Sequence, residues 1–446
     1  MRATAAVLYF GAINEREKNE LAEQCERLRA LYGDVAEFLD PIPVGSPLPA
    51  GADAVVFPQL IGAAFSEKDA LGKIDLPIVV LTSEFGTVEM WDWEIITFLR
   101  EEAGLNVFSP YTLELGKCIL RAIACKKQMR DGLKFLMFQD SPGEGMQAYI
   151  FKRFYWWESA CTKAIEEAFG VQIIYRSYRE LNERAKAVPD SEAQAVADAS
   201  PLPTAGVTNA KLLKAVKLYV AVKREIDEIG GVKAVGANCL NESESSDTTP
   251  CAAWNLLWER DKILWACEGD TVTLISMFIL YSVLQAPMMM TNIYPFLVGM
   301  AALKHEKIER FPEIPNSDNH ALGVHCGYFG LMPPSFSEEY VVRPKVLEIV
   351  GEDALMVDCR MQKGPVTLAK LHPNMKKMTV IACEITDYVQ YPGSDCRNGA
   401  LLHYRNDNGH QIMEALSSHH ALIIQGDQIP ALRQMGKVFG FDVEFL

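Results

Sequence analysis

Side chains that can bind a metal ion stand at widely separated places in this sequence. The carboxylate Glu268 ends an apolar run at residues 263–267, His325 follows another apolar segment, and His419 and His420 are adjacent. All 8 histidines of the chain come after position 304. Carboxylate and imidazole donors suit Mn²⁺, Mg²⁺ or Co²⁺ better than a thiolate-binding ion. Together they indicate a metal-dependent enzyme, although each histidine taken alone is more typical of a core residue with one hydrogen bond.

Two more polar residues follow Glu268 along the chain. Asp270 precedes an apolar helix expected at residues 271–285, where a carboxylate commonly caps the N-terminus. Asn292 ends the next strand, residues 287–292. Because the helix has the length of a crossover, we predict that this strand lies parallel to the one ending at Glu268, at the edge where open α/β sheets bind ligands. Asp270 and Asn292 are therefore candidate site residues, with capping and turn formation as the alternatives.

The composition excludes several classes of protein. With 446 residues the chain is too long for one core, since single cores stop growing near about 250–300 residues, so two or three domains are expected. A formal charge of −15 without a cluster of Lys or Arg argues against a nucleic-acid partner. The 11 cysteines are odd in number and never spaced as Cys-x-x-Cys. This pattern favours reduced thiols and a cytoplasmic location over a disulfide framework or a zinc ribbon.

One uncharged stretch has the length of a membrane span. Residues 271–290 carry no charge over 20 positions, which is in principle enough to cross a bilayer. The stretch nevertheless contains Ser, Thr and Gln side chains and is interrupted by Pro287. We therefore predict a buried helix followed by a strand, and no membrane partner. The first residues also lack the pattern of a signal peptide.

The pattern of apolar and polar segments along the chain predicts three domains. Short apolar strands alternate with longer polar helices in residues 1–132 and again in residues 133–320, which is typical of βαβ units with a parallel sheet. Residues 321–446 instead show short alternating runs separated by turn residues, as in antiparallel sheets. The predicted fold class is α/β, with two doubly wound parallel-sheet domains followed by a C-terminal antiparallel β-barrel-like domain.

The order and spacing of these motifs resemble those of the L-fucose isomerase and L-arabinose isomerase superfamily. The shared features are Glu-Gly-Asp at 268–270 before an apolar helix, a strand ending 24 residues after Glu268, His-Cys-Gly at 325–327, Lys-Gly-Pro-Val-Thr-Leu at 363–368 and Ser-His-His-Ala-Leu at 418–422. The motifs cover roughly residues 230–446, and the domain order covers the whole chain. The resemblance implies a Mn²⁺-dependent aldose–ketose isomerase of a monosaccharide, assembled as a homotrimer or homohexamer with its metal between the second and third domains.

The resemblance also implies roles for single residues. Glu268 is similar to the first metal-binding carboxylate and proton-transfer base, and His420 and His325 to histidine ligands. The adjacent His419 is predicted to contact the substrate. Asn292 stands where the family has Asp or Glu, and an amide can offer its carbonyl oxygen to a metal but cannot take up a proton.

That departure leaves the proton-transfer machinery open. Either Glu268 acts alone, or Asp270 supplies a second group, with Glu242, Glu244 and Asp247 of an acidic loop as further candidates. A base of this kind has to lie within hydrogen-bond reach of the proton that it moves. A non-catalytic sugar-binding protein of the same fold and a sugar epimerase are the alternatives to an isomerase.

Exposed aromatic rings commonly stack on sugars. Trp91 and Trp157 are predicted to contact the substrate, together with the neighbouring Trp93 and Trp156. Tryptophan side chains also fill cores and subunit interfaces, which is the alternative interpretation for all four.

Overall fold

The computed structural model describes residues 2–11, 13–59, 62–140, 159–295, 314–325, 328, 331–390 and 398–446. Two compact units make up the chain. The first unit comprises Met1–Arg130, Ser282–Leu284 and Pro430–Gly440, and the second comprises Asp131–Tyr281, Gln285–Ile429 and Phe441–Leu446. The second unit thus contains residues from both the second and the third predicted domain, and the three-domain division stays a prediction.

The first unit is built on a parallel sheet with the strand order β2-β1-β4-β5-β6, and β3 pairs with β1. Its central strands are short, fully buried apolar runs, as expected for a sheet that is covered by helices. The strands are β1 Ala3–Tyr9, β2 Ala36–Phe38, β3 Ile42–Pro43, β4 Ala54–Phe57, β5 Ile78–Val80 and β6 Val107–Phe108. The helices are α1 Glu15–Tyr32, α2 Lys68–Leu71, α3 Trp93–Glu101 and α4 Leu113–Arg130.

A second parallel sheet, in the order β10-β9-β7-β8, begins the second unit. Its strands are β7 Lys134–Phe138, β8 Gln172–Arg176, β9 Val232–Ala237 and β10 Leu264–Ala266. The helices in this part of the chain are α5 Ser159–Phe169, α6 Tyr178–Lys186, α7 Asp190–Ala199, α8 Asn209–Ile229, α9 Cys251–Asp261 and α10 Thr271–Leu284. Among the described helices, none is both long and apolar enough to cross a membrane.

Six antiparallel strands of the second unit close into a barrel, in the order β15-β18-β11-β12-β17-β16 with β16 pairing back to β15. Alternate residues point inward, as Val366, Leu368, Ile381 and Cys383 show. The strands are β11 Met288–Pro295, β12 His320–Val324, β15 Gly364–Leu371, β16 Lys377–Gln390, β17 Asn398–Tyr404 and β18 His420–Gln425. The fold class is confirmed to this extent: parallel α/β regions are followed by an antiparallel barrel.

Smaller elements complete the described chain. β13 Glu339–Pro344 pairs with β14 Leu355–Arg360, and β19 Asp442–Phe445 adds to β16 in parallel. The remaining helices are α11 Gly409–Ala415 and α12 Ile429–Phe439.

The prediction for the strand after α10 was wrong. β11 does not lie parallel to β10 in the α/β sheet, but pairs antiparallel with β18 and β12 in the barrel. The apolar run of Met288 to Met290 reports only that the strand is buried, and it carries no information about which sheet supplies its partners. Gln285 ends α10 in a left-handed conformation, with φ of 52°, and the chain then enters the barrel.

Candidate functional site

A tight turn between β10 and α10 carries two buried carboxylates. Glu268 and Gly269 both have left-handed backbone conformations, with φ of 58° and 69°. Asp270 then caps α10: its Oδ1 accepts a hydrogen bond from the Thr273 backbone N–H at 2.8 Å, and its Oδ2 accepts from the Thr273 hydroxyl at 2.7 Å. The predicted N-cap is confirmed. A left-handed conformation costs a non-glycine residue roughly 1–2 kcal/mol, so other contacts must stabilise Glu268 in place.

His420 at the start of β18 contacts both carboxylates. Its Nδ1 lies 2.8 Å from Asp270 Oδ2, and its Nε2 lies 3.6 Å from Glu268 Oε2. At most 5% of any of the three residues is exposed. Because a carboxylate can only accept, Nδ1 carries the hydrogen of the first contact. An unprotonated Nε2 would then face Glu268 as a second acceptor, so this contact requires a proton or a metal cation between the two atoms.

The charges of Glu268 and His420 shift their pKa values in opposite directions. Burial alone would raise the pKa of the Glu268 carboxyl, but the charge of His420 and the contact with its ring, together with the other two nearby histidines, hold that pKa well below its ordinary value. Burial lowers the pKa of His420, the charge of Glu268 raises it, and the net shift is upward. Opposite charges in a buried pair favour the ionised forms in this way. Glu268 is therefore an anion.

Lys370 in β15 is a buried cation that the sequence analysis missed. Its Nζ lies 2.7 Å from Asp270 Oδ2, with 8% of the lysine side chain and none of the aspartate side chain exposed. Burial lowers the pKa of Lys370. Burial would raise the pKa of Asp270, but Lys370 and His420 together hold it below its ordinary value. The available signal was a single charged residue in the otherwise uncharged stretch 364–371, because a buried lysine needs a partner.

Asn292 lies in β11 between the two strands that lead to the site histidines. It pairs with His420 of β18 on one side and with Val324 of β12 on the other, and His325 directly follows Val324. Asn292 Oδ1 and both ring nitrogens of His325 are buried without a hydrogen-bond partner among the described residues. The ring centroids of His325 and His420 lie 6.4 Å apart. Burial lowers the pKa of His325 to about 4, so its ring is neutral at pH 7 and can offer a nitrogen lone pair.

The other predicted substrate contacts are His419, Trp91 and Trp157. The exposed His419 has its ring centroid 4.4 Å from that of His420, and its carbonyl oxygen accepts a hydrogen bond from the Ile293 backbone N–H at 2.8 Å. Trp91 belongs to the first unit and is 71% exposed. Trp157 lies outside the described residues.

The three carboxylates of the acidic loop make contacts of other kinds. Glu242 is 1% exposed, and both of its oxygens accept from the Asp140 backbone N–H at 2.9 Å. Glu244 lies 3.3 Å from an arginine and Asp247 lies 3.7 Å from a lysine, both in partly exposed ion pairs. None of these contacts is with Glu268.

The donors around Glu268 fit a divalent ion in their chemistry. Within the described part of the chain, no three His, Cys, Asp or Glu side chains are grouped so that they could hold a metal. Glu268 and His420 supply two such donors, and their 3.6 Å separation suits a shared ion because donors lie roughly 2.0–2.2 Å from such ions. The unpartnered oxygen of Asn292 and nitrogens of His325 are the further donors nearby. Asp270 orients His420 as an outer-shell carboxylate does at metal sites.

No family model and no curated protein matches this chain. The resemblance to the sugar isomerases therefore stays an expectation drawn from motif order. The arrangement of Glu268, His420, Asn292 and His325 is independent of that resemblance, because it comes from the fold alone.

Proposed function

We propose that this protein is a divalent-metal-dependent aldose–ketose isomerase that acts on a monosaccharide through an enediol. The observation that carries the proposal is that four possible metal ligands from four different strands of the second unit come together. Glu268 follows β10 and His325 follows β12, whereas Asn292 lies in β11 and His420 in β18. Their oxygen and nitrogen donors suit Mn²⁺, with Co²⁺ or Mg²⁺ as alternatives. When bound, such an ion would polarise the sugar oxygens and stabilise the negative charge of the enediolate.

The protein side chains divide the remaining work. Glu268 is the buried anion that takes the proton from one carbon of the sugar and returns it to the adjacent carbon. His420 is a ligand whose Nδ1 is held by Asp270. Both oxygens of Asp270 already accept hydrogen bonds from protein groups, so we assign it to positioning rather than to proton transfer. Asn292 offers an amide oxygen and moves no proton.

Several broader features belong to this proposal. Assembly of identical chains into a trimer or hexamer is implied by the family resemblance, whereas the doubly wound arrangement follows from the alternation of strands and helices and the cytoplasmic location from the cysteine pattern. The sugars to test first are those of the resembled family, namely L-fucose, L-arabinose and D-arabinose.

The experiment compares bound metal and isomerisation in wild-type protein and Glu268→Gln. Elemental analysis should find a divalent metal in the wild type and much less in the variant. Turnover of the aldose panel should fall by about 10²–10⁴-fold, the range for loss of a general base. Glu384→Gln, at an exposed position of β16, is the control and should change neither quantity. A metal-free wild-type protein whose activity survives Glu268→Gln would defeat the proposal.

Sugar binding without isomerisation is the second candidate, and one observation favours it. When His420 is protonated, it and Lys370 balance the anions Glu268 and Asp270, so the four buried groups then need no further cation for neutrality. Calorimetry would then show sugar binding, while isomerisation stays absent with added Mn²⁺ and also in Asn292→Asp. Product analysis by NMR in D₂O separates epimerisation from both.

A further inference from the structure

The order in which strands are added to the second parallel sheet reverses next to the candidate site. From β7 the chain adds β8 on one side, and it later adds β9 and β10 on the other side of β7. In open α/β sheets, ligands bind outside the carboxyl ends of the strands at such a switch point. Asn238 directly follows β9, and Gln139 directly follows β7. The Asn238 backbone N–H donates to the Phe138 carbonyl oxygen at 2.9 Å, so the two strand ends stay together.

The Asn238 side chain is fully buried, and its orientation is fixed. Its Nδ2 donates to Glu242 Oε1 at 2.9 Å. Because a carboxylate can only accept, the amide nitrogen must face Glu242 and the amide oxygen must face away from it. Asn238 Oδ1 and Gln139 Oε1 are both buried without a hydrogen-bond partner among the described residues. An unsatisfied buried acceptor is costly, so a pair of them at a switch point indicates a missing donor.

Asn238 is a close neighbour of Glu268. In the last pair of the register between β9 and β10, Gly236 lies opposite Ala266, and Asn238 and Glu268 each follow two residues later. The Gly269 backbone N–H donates to the Ala237 carbonyl oxygen at 2.8 Å, which keeps the two chain segments in contact beyond the strands.

We infer that Asn238 Oδ1, with Gln139 Oε1 beside the same strand ends, accepts hydrogen bonds from hydroxyl groups of an uncharged polyol. Both oxygens accept and cannot donate, so they match O–H groups and disfavour a phosphate or carboxylate at this end of the ligand. Glu242 is the positioning residue that aims the Asn238 amide. The inference deepens the proposed function, on which it rests for the expectation that the ligand is a sugar.

The test uses alditols, which carry the hydroxyl groups of a sugar but cannot isomerise. Calorimetric titration with L-fucitol, L-arabinitol and D-arabinitol should show binding of at least one to the wild-type protein. Asn238→Ala should weaken that binding by about 3- to 10-fold, the range for one neutral hydrogen bond. Asn255→Ala is the matched control, because Asn255 is also fully buried, donates Nδ2 to one partner and has an unpartnered Oδ1, but lies in α9. It should leave binding unchanged.

Two results would overturn the inference. One is that none of the three alditols binds to the wild type, and the other is that Asn238→Ala binds them as tightly as the wild type does. If Asn238→Ala does not fold, alditols lacking one hydroxyl are titrated against the wild type. Removal of one particular hydroxyl should then weaken binding by about 3- to 10-fold, and equal binding of all of them would count against the inference.

Failure of this inference and failure of the proposed function give different results. If alditol binding depends on Asn238 but the protein has no isomerase activity, the polyol site is supported and the proposed isomerase activity is contradicted. If Asn238→Ala isomerises the sugar with an unchanged KM, the proposed isomerase activity is supported and the polyol site is contradicted.

Discussion

His420 Nδ1 and Asp270 Oδ2 lie 2.8 Å apart, although 150 residues separate them in the chain. The same carboxylate oxygen accepts from Lys370 Nζ, and the other one caps α10 at Thr273. Asp270 therefore joins the beginning of a buried helix to two strands of the barrel. Because this network is almost completely buried, removing one partner leaves a charge that water solvates poorly.

Lys370→Met should strongly destabilise the second unit. The methionine keeps much of the side-chain volume but leaves Asp270 with only its remaining partners, and breaking a buried ion pair typically costs about 3–5 kcal/mol. The measurement is the free energy of unfolding in urea. Lys377→Met is the control, since its Nζ lies 2.9 Å from Glu444 but the lysine side chain is 31% exposed. That change should cost only about 0–1 kcal/mol, and equal effects of the two substitutions would contradict the prediction.

Asp270→Asn should lower activity through His420. Asparagine is also a good helix cap, so the start of α10 survives, but its amide no longer provides a charged acceptor for the Nδ1–H of His420. Loss of such an outer-shell carboxylate typically costs about 10–100-fold in metal affinity or activity, so both metal affinity and kcat/KM are measured. Ser177→Ala removes a different cap, the 3.0 Å bond to the Glu180 N–H, and should leave kcat/KM unchanged. Wild-type metal affinity and kcat/KM in Asp270→Asn would contradict the assigned role.

The sequence was sufficient to predict the parts of the site that depend on local patterns. Glu268 follows a buried apolar strand and Asp270 starts a helix, and both features follow from short-range rules. The position of Asn292 beside His420 depends on strand pairing in the barrel, which the hydrophobic pattern does not specify. Lys370 escaped notice because one lysine in a strand is usually exposed, and only the fold shows that its partner is Asp270.

Asn292→Asp should lower the stability of the metal-free protein and increase the stabilisation that added metal gives. The new carboxylate would lie opposite His420 and near Glu268, and two buried carboxylates repel each other unless a cation lies between them. The melting temperature in EDTA should fall below that of the wild type, and Mn²⁺ should raise it more than it does in the wild type. A tenfold gain in metal affinity corresponds to about 1.4 kcal/mol at saturating metal.

The control for that substitution is Asn255→Asp. Asn255 also has a buried Oδ1 without a hydrogen-bond partner among the described residues, but it lies in α9 and donates to the Tyr340 hydroxyl at 3.0 Å. Its replacement should also destabilise the protein, yet Mn²⁺ should give no additional stabilisation. If Mn²⁺ raised the melting temperature of both variants by a similar amount, the assignment of Asn292 to the metal site would be contradicted.

The buried thiol of Cys125 in α4 should resist alkylation in the native protein. Burial raises the pKa of Cys125 to about 12, and its Sγ lies 3.9 Å from the Met129 sulfur. Since the thiolate is the reactive form, very little of it is present at pH 8. Peptide mass spectrometry after iodoacetamide treatment should find Cys125 unlabelled in native protein and labelled in urea. Because the raised pKa favours the protonated folded state, its contribution to stability is present below about pH 8.5 and is lost as the pH rises toward 12.

The left-handed backbone of Glu268 predicts an unusual order of stabilities. Glu268→Gly and Glu268→Ala remove the same carboxylate, so the difference between them reports the backbone. At φ of 58° glycine is strained less than alanine, and the glycine variant should be more stable by about 1 kcal/mol. Lys262, with φ of 55°, should show the same order, whereas Lys163 within α5 should show the reverse by about 1 kcal/mol. If alanine is the more stable replacement at position 268, the strained turn that presents Glu268 to His420 does not exist in solution.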